Sequence, residues 1–424
     1  RKAICFVTGV PGAGKTLVGL NIAIERSDAH AGEHAVFLSG NYPLVTVLQE
    51  ALARDKVAQA KAREEKITKS NALRETSAFI QIIHKYRDSF VGNDNKPPER
   101  VAIFDEAQRA WTNAQIANFM KTKKGVPDFE YSEPEFLIST MDRHDDWAVI
   151  ICLVGGGQEV NSGEAGLPEW FDSLRRSFPD WDVYVTPQLN DTEYRRDYEW
   201  DEMIAELNVI ENEKLHLATS VRSFRTPDLA ALVKAILDVD IEKAKELCER
   251  IKDKYPVVLT RDLEKAKEWV KAQCQGTTRY GLIASSGALR LKPEGIFVKN
   301  EISVANWFLN GKDDVRSSYM LEDVVTEFDI QGLELDYTLV AWDADFRFVN
   351  GEWTYNNFSG NKWQTMHNAD KILYLKNAYR VLLTRARQGM IIFVPKGSDT
   401  DHTRAREYYD GTYNYLKEIG LQEL

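Results

Sequence analysis

The chain has 424 residues and a net charge of −11, from 54 basic and 65 acidic residues. This length exceeds what one hydrophobic core usually organises, so we expect two or three domains, and a hydrophobic content of 43% excludes a disordered chain. The acidic balance argues against a protein that coats polyanions indiscriminately, although a local basic groove can coexist with an acidic exterior.

The composition also bears on where the chain works. No apolar run approaches the roughly 18 residues that a membrane helix needs, so no membrane partner is expected. The four cysteines are scattered, without C-x-x-C or histidine-paired spacing, which favours reduced thiols in a cytoplasmic setting and argues against a zinc site. The first residues enter a strand-like run with no signal peptide, so we expect further residues upstream, such as an effector domain.

The first feature in chain order is a strand, a glycine-rich loop and a helix. The apolar run AICFVT precedes GVPGAGKT, and LVGLNIAIE follows with helical spacing. This G-x-x-x-x-G-K-[ST] pattern predicts a phosphate-binding loop, in which backbone N–H groups and a helix N-terminus attract the phosphates of ATP. Lys15 is expected to bridge the β- and γ-phosphates, and Thr16 to bind Mg²⁺. The residues predicted to bind the nucleotide here are Gly9, Pro11, Gly12, Ala13, Gly14, Lys15 and Thr16.

A second apolar run, VAIF, ends in an acidic pair. Asp105 and Glu106 follow it directly, at the end of a predicted strand. ATP hydrolysis needs one carboxylate to hold Mg²⁺, partly through water, and another to orient or deprotonate the attacking water. We assign the first role to Asp105 and the second to Glu106. The alternative is a solvated acidic turn, which the upstream phosphate-binding loop disfavours.

A third apolar run, AVIICLV, breaks at three glycines and presents Gln158. An amide at the end of a central strand could contact the γ-phosphate and report its loss. A glycine turn with an exposed glutamine is the alternative.

The C-terminal half continues with strands and helices but has no second phosphate-binding loop. TEFDIQGLELDYTLVAW leads into an apolar strand, and NAYRVLLTRARQGMIIFVP joins a helix run to another strand. Arginines beside a core strand are costly to bury unless they meet anions. A second domain that donates arginines to a nucleotide held by the first is typical of a molecular motor.

Together these stretches resemble the ordered motifs of superfamily 1 helicases. The motifs are GVPGAGKT, FDEAQ, LVGGGQE, SVRSF, TEFDIQGLE and YRVLLTRAR. Longer stretches such as FLSGNYPLVTVL, WFLNGKDDVRSSYMLE and QGLELD are similar to the bacterial Schlafen group 3-like DNA/RNA helicase domain family, over essentially the whole chain.

The resemblance implies an α/β fold with two RecA-like P-loop domains, each with a mostly parallel sheet, and an ATP site in the cleft between them. The domains are expected at residues 1–210 and 211–424. By the same resemblance, Gln158 is the motif III sensor, Arg222 the motif IV arginine and Arg385 the arginine finger. Gly332 and Glu334 belong to the nucleotide site, with Glu334 contacting the ribose, and Thr326 contacts a nucleic-acid phosphate.

One position departs from the helicase pattern. Helicases often carry a histidine two residues after the motif V threonine, where this chain has Phe328. This departure weakens the transfer of nucleic-acid contacts to that segment, and leaves the nucleotide site unaffected.

Two further stretches allow more than one interpretation. The run LARDKVAQAKAREEKITKS could line a nucleic-acid groove, but its interleaved acids favour a solvated helix face. The aromatic tract WTYNNFSGNKWQTMH could stack bases, but we favour aromatic side chains that anchor a surface loop.

The sequence as a whole predicts an ATP-hydrolysing helicase or translocase that uses ATP and Mg²⁺ and acts on DNA or RNA. The alternative is a nucleotide-dependent switch that gates a protein partner or an upstream effector domain without unwinding. A catalytically dead binding scaffold is a weaker third reading, because Lys15, Asp105, Glu106 and Arg385 are all present.

Overall fold

The structure is a computed structural model that describes residues 1–10, 12–27, 34–127, 129–155, 166–195, 198–219 and 226–424. The chain divides into two compact units, Arg1–Arg222 and Ser223–Leu424. Each unit is built on its own parallel sheet, and each is described by itself below.

In the described part of the first unit, eight strands form one sheet with the order β3-β2-β4-β5-β1-β6-β7, and β8 pairs with β1. Each of these pairings is parallel. The strands are β1 (Lys2–Gly9), β2 (Ala35–Ser39), β3 (Ile80–Ile82), β4 (Val101–Asp105), β5 (Ala148–Leu153), β6 (Asp182–Val185), β7 (Asn208–Glu211) and β8 (His216–Leu217).

Helices cover both faces of this sheet. Alternate residues of one strand belong to two separate apolar clusters, as Phe104 and Ile103 of β4 illustrate. A strand with both faces buried needs a continuous apolar run, which is why VAIF and VIICL are uninterrupted. The helices are α1 (Lys15–Ser27), α2 (Tyr42–Ala62), α3 (Lys69–Phe79), α4 (Ile83–Phe90), α5 (Asn113–Phe119), α6 (Glu133–Asp142), α7 (Pro168–Ser177), α8 (Thr192–Arg195) and α9 (Trp200–Ile204).

The second unit repeats the parallel arrangement, with the strand order β11-β10-β12-β16-β9-β17. These strands are β9 (Val257–Thr260), β10 (Tyr280–Ala284), β11 (Val324–Val325), β12 (Leu335–Ala341), β16 (Ala386–Phe393) and β17 (Gln422–Glu423). The helices are α10 (Thr226–Asp238), α11 (Ile241–Ile251), α12 (Leu263–Gln273), α13 (Val304–Leu309), α14 (Ala369–Leu383) and α15 (Glu407–Glu418).

The segment between β12 and α14, which contains the aromatic tract, forms a small antiparallel sheet. Its strands are β13 (Phe346–Val349), β14 (Glu352–Ser359) and β15 (Lys362–Thr365). Trp353 is buried and its indole N–H donates to the Ile236 carbonyl oxygen at 3.0 Å, while that of Trp363 donates to the Thr403 carbonyl oxygen at 2.8 Å. These inward hydrogen bonds favour the anchoring role of the tract over base stacking.

The expected fold class is confirmed: two RecA-like α/β units with mostly parallel sheets. The chain divides at Arg222, later than the boundary expected at residue 210. The reason is a tertiary pairing, because β8 forms a parallel ladder with the end of β1 and so lies with the first unit. None of the helices described in the structure is both long and apolar enough to cross a membrane.

Candidate nucleotide-binding site

The loop after β1 has the backbone geometry that its glycines predict. Gly12 and Gly14 have φ angles of +76° and +87°, which glycine adopts without the steric cost that a Cβ would bring. The Ala13 N–H donates to the Val10 carbonyl oxygen at 3.0 Å, and α1 begins at Lys15. A strand, a glycine loop and a helix N-terminus therefore follow one another, as a phosphate-binding loop requires. Pro11 lies outside the described residues.

Lys15 lies back over the loop, because its Nζ donates to the Gly9 carbonyl oxygen at 2.8 Å. The same loop is packed against β8: a Cβ on Gly9 would lie 2.8 Å from the Leu217 Cβ, and the Val10 N–H donates to the Leu217 carbonyl oxygen at 3.1 Å. Sequence reasoning placed His216 and Leu217 in the second domain and missed this contact. Two residues of a short strand give no local signal that they pair with β1.

Asp105 and Thr16 meet although they are far apart in sequence. The Thr16 hydroxyl donates to Asp105 Oδ1 at 3.0 Å. Asp105 is only 7% exposed, and the burial of its carboxyl group, with the neighbouring Glu106 charge, raises the pKa of that group to about 7. The Thr16 hydrogen bond and the charges of Lys15 and Arg109 act in the opposite direction and are outweighed.

Glu106 lies in a left-handed turn, with φ at +54° and ψ at +47°. This conformation is uncommon for a residue with a side chain, and it ends β4 abruptly before the 3₁₀ helix Ala107–Arg109. The Glu106 carboxylate accepts a hydrogen bond from Gln108 Nε2 at 2.6 Å, and Arg109 Nε lies 3.8 Å from it. The two adjacent acids thus have different surroundings, one buried against Thr16 and the other held by Gln108.

Gln108 is a residue of this site to which sequence reasoning assigned no role. Its amide donates to Glu106, and its Oε1 accepts a hydrogen bond from the Gly155 N–H at 3.1 Å. It therefore joins the acidic turn after β4 to the chain that leaves β5. The signal that could have revealed it is the amide two residues after the acid in FDEAQ. Gln158, further along the same chain, lies outside the described residues.

The second unit brings Glu334 and Arg385 side by side. Each precedes a strand, and Leu335 and Ala386 are partners in the parallel β12–β16 ladder. The Leu335 N–H donates to the Arg385 carbonyl oxygen at 3.1 Å, and the Arg385 Nε donates to the Val381 carbonyl oxygen at 3.2 Å. Glu334 and Arg385 therefore both lie at the amino edge of its sheet.

The remaining predicted residues have distinct positions. Gly332 has a φ of +74°, which suits a glycine in the turn before β12. Thr326 follows β11 at the carboxyl edge, where it is buried, and its hydroxyl and backbone N–H donate to Asp329 Oδ2 at 2.7 and 2.8 Å. Its contact with nucleic acid stays a prediction. Arg222 lies outside the described residues.

Some other basic groups pair with carboxylates of the chain. Arg387 lies 2.7 Å from Asp336 Oδ1. In the basic stretch, Glu50 pairs with Arg54 and Lys69 at 2.6 Å in each case. The pairing on α2 and α3 favours a solvated helix face over a nucleic-acid groove.

The geometry around Asp105 suits Mg²⁺. In the described ranges no group of three or more His, Cys, Asp or Glu side chains could hold a metal ion. Mg²⁺ commonly binds through one or two protein oxygens and keeps its other positions for water and phosphate. The adjacent oxygens of Thr16 and Asp105 form such a donor set, and a cation there would neutralise a carboxylate that the fold alone stabilises poorly.

The fold defines an α/β protein of two RecA-like units, with a glycine loop after the first strand and an adjacent pair of side-chain oxygens. The Schlafen group 3, DNA/RNA helicase domain model matches residues 2–396. The chain belongs to this family, as its motifs indicated. No curated protein matches the sequence.

Several solved helicase structures show a remote likeness. "The structure of PRRSV helicase" is 10% identical, with a TM-score of 0.31, and the match covers 95% of this chain and 54% of that one. The arterivirus nonstructural protein 10 helicase in complex with DNA is 10% identical, with a TM-score of 0.31 and coverage of 98% and 63%. The Pyrococcus furiosus Hef helicase domain is 13% identical, with a TM-score of 0.29 and coverage of 93% for both chains. The chain thus spans less than two thirds of either viral helicase, and the family membership depends on the sequence match.

Removing the buried carboxyl group at Asp105 should change the pH dependence of stability. In the folded state the Asp105 carboxyl group keeps its proton up to about pH 7, whereas in the unfolded state it releases the proton near pH 4. Its contribution to the free energy of unfolding therefore falls as pH rises between these values. Relative to Asp105→Asn, the wild type should lose about 3 kcal/mol of unfolding free energy between pH 4.5 and 7.5, since each pKa unit is about 1.4 kcal/mol. Urea titrations without metal or nucleotide measure this difference, and a difference that is constant with pH would contradict the assignment.

The left-handed turn at Glu106 predicts an unusual order of stabilities. Glu106→Gly and Glu106→Ala both remove the carboxylate, but only glycine relieves the strain, so the glycine variant should be more stable by about 1 kcal/mol. The same pair at Asp88, inside α4, provides the control, because there glycine should be less stable than alanine by about 1 kcal/mol. Denaturant titrations of the four variants measure their free energies of unfolding. If Glu106→Ala is at least as stable as Glu106→Gly, the turn at position 106 is not strained.

Proposed function

We propose that this chain is an ATP-dependent, superfamily 1-type helicase or translocase that hydrolyses ATP and acts on DNA or RNA. The observation that carries the proposal is the hydrogen bond between Thr16 and the buried Asp105, beside the glycine loop that Lys15 covers. These are the groups that bind phosphate and Mg²⁺ in nucleotide hydrolases.

In this proposal the residues of the first unit bind and orient. Mg²⁺, when bound by Thr16 and Asp105, would supply positive charge that offsets the charge on the phosphates. Lys15 would leave the Gly9 carbonyl oxygen for a phosphate oxygen. Glu106 would accept a proton from the attacking water or orient it, and Gln108 holds the Glu106 carboxylate in place for that task.

The second unit would contribute the groups that respond to the nucleotide. Arg385 would stabilise negative charge on the transferred phosphoryl group, and Glu334 beside it would accept a hydrogen bond from the ribose. Arg222 and Gln158 keep the roles that the family resemblance implies. Hydrolysis would then remove the phosphate charge that these residues contact, and this change would drive movement along a strand.

A second candidate function is an ATPase switch that gates a protein partner or an effector domain. It is favoured by the surroundings of Thr326, whose hydroxyl is already committed to Asp329, and by Phe328 in place of the usual histidine. Both reduce the case for a phosphate contact there. The two functions share the nucleotide site and differ in whether nucleic acid stimulates hydrolysis.

Loss of the Lys15 ammonium group should abolish ATP turnover. In Lys15→Ala the phosphates lose a positive charge where negative charge develops, so we expect the steady-state rate to fall by roughly 100-fold or more. Lys66→Ala, at an exposed lysine of the same unit, is the matched control and should retain the wild-type rate. Unchanged turnover in Lys15→Ala would refute the assignment of the active site.

Nucleic acid should stimulate the ATPase if the chain is a motor. We expect single-stranded DNA or RNA to raise the rate, and raising the salt concentration should reduce this stimulation steeply because phosphate contacts release counterions. The measurement is steady-state ATPase activity with single-stranded DNA, single-stranded RNA and duplex across a salt series. A rate that no polymer changes, in a preparation that hydrolyses ATP, would favour the switch.

A further inference from the structure

The acidic turn after β4 has a backbone conformation that a residue with a side chain disfavours. Glu106 lies in the left-handed region, with φ at +54° and ψ at +47°, where its Cβ crowds the backbone. Such a conformation persists where contacts from outside the turn fix it. The same contacts therefore fix the direction of the Glu106 carboxylate, which in the proposed function orients or deprotonates the attacking water.

The chain after β5 donates hydrogen bonds to this turn. The N–H groups of Gly155 and Gly166 donate to the side-chain oxygen and the carbonyl oxygen of Gln108, each at 3.1 Å. The indole N–H of Trp170, in α7, donates to the Ala107 carbonyl oxygen at 2.9 Å. The two residues that follow the left-handed position are thus held by a segment that is distant from them in sequence.

Trp170 also contacts the two strands that lead into the nucleotide site. It is fully buried, and its ring packs against Phe6 of β1 and Phe104 of β4, with ring centroids 6.5 and 5.5 Å apart. Because β1 leads into the glycine loop and β4 into the acidic pair, one side chain lies against the ends of both. A buried indole N–H needs an acceptor, and the carbonyl oxygen of the buried Ala107 supplies it.

Packing alone does not require a tryptophan at this position. The neighbouring Phe171 stacks on Phe6, with ring centroids 4.9 Å apart, and fills the same core with a ring that has no hydrogen-bonding group. What Trp170 adds to such a ring is a donor that meets the acidic turn. Its hydrogen bond therefore indicates a task beyond filling the core.

We propose that Trp170 is a positioning residue for ATP hydrolysis, because its indole N–H holds the turn that directs the Glu106 carboxylate. The inference rests on the proposed function and deepens it, since it states what fixes the geometry of the carboxylate that acts on water. Trp170 acts through Ala107 and the turn. Its loss should therefore slow the chemical step and leave nucleotide binding by the glycine loop unchanged.

Trp170→Phe removes the indole N–H and keeps an aromatic ring in the core. We expect kcat for ATP to fall by about 10- to 100-fold, because a displacement of a catalytic group by about 1 Å has an effect of this size. KM and the affinity for N-methylanthraniloyl-ADP should stay within about 2-fold of the wild type, since the glycine loop is intact. Steady-state ATPase assays and fluorescence titrations measure these quantities. A wild-type kcat in Trp170→Phe would refute the inference.

Trp181→Phe is the matched control. Trp181 belongs to the same apolar cluster, and its indole N–H donates to Asp142 Oδ1 at 2.9 Å, where Lys2 at the start of β1 also contacts Asp142. This variant should lower the melting temperature as Trp170→Phe does, and it should keep the wild-type kcat. An equal fall of kcat in both variants would reflect a general loss of stability and would overturn the inference.

A double-mutant cycle tests whether Trp170 acts through Glu106. Glu106→Gln should lower kcat by itself, and the addition of Trp170→Phe should lower it no further, because the carboxylate that the turn directs is already absent. If the two effects multiply, Trp170 acts by another route, and the inference fails while the proposed function stands. If Glu106→Gln keeps the wild-type kcat, the role that the proposed function gives to Glu106 fails, and the inference fails with it.

A second readout does not depend on hydrolysis. The turn is strained only while its surroundings hold it, so the stability advantage of Glu106→Gly over Glu106→Ala should be smaller in the Trp170→Phe background than in the Trp181→Phe background. Urea titrations of the four double variants measure this advantage. An equal advantage in both backgrounds would overturn the inference, even for a chain that hydrolysed no ATP and for which the proposed function had failed.

Discussion

The candidate site of the first unit depends on the burial of one carboxylate beside a glycine loop. β1 and β4 are separated in the sheet by β5, and all three strands run in the same direction. Their carboxyl ends therefore meet at one edge, where ligands of open α/β sheets bind, and the Asp105 carboxyl group comes within hydrogen-bond distance of Thr16. The same burial makes the ionised carboxylate costly, so its pKa rises to about 7.

Two further contacts hold the loops at this edge together. Gln108 links the acidic turn after β4 to the end of β5, and β8 packs against the first turn of the glycine loop. The left-handed conformation of Glu106 separates the two acids, which follow one another in sequence but have different partners. Strain of this kind persists where the surroundings over-determine the backbone, and it occurs often at functional sites.

One segment of the second unit connects the two edges of its sheet. A parallel sheet requires the chain to return from the carboxyl edge to the amino edge between strands, and residues 326–334 make this return between β11 and β12. Glu334 and Arg385 meet at one edge because Leu335 and Ala386 are paired, while Phe328 and Tyr374 meet at the other because Glu327 joins them. The segment thus connects the residues at the carboxyl edge of this sheet with Glu334 at its amino edge.

The sequence alone determined the local elements of this protein. Apolar runs bounded by glycines and acids predicted the strands and their ends, and the glycine spacing predicted a loop between β1 and α1. Each of these patterns lies within a short segment, so it can be interpreted without knowledge of the fold. Only the tertiary structure decided which strand ends are neighbours, that β8 belongs to the first unit, that Gln108 joins β4 to β5, and that the tract from Phe346 to Thr365 is an anchored sheet. These depend on pairings between distant residues, and neither the spacing nor the composition of a short segment specifies its partner.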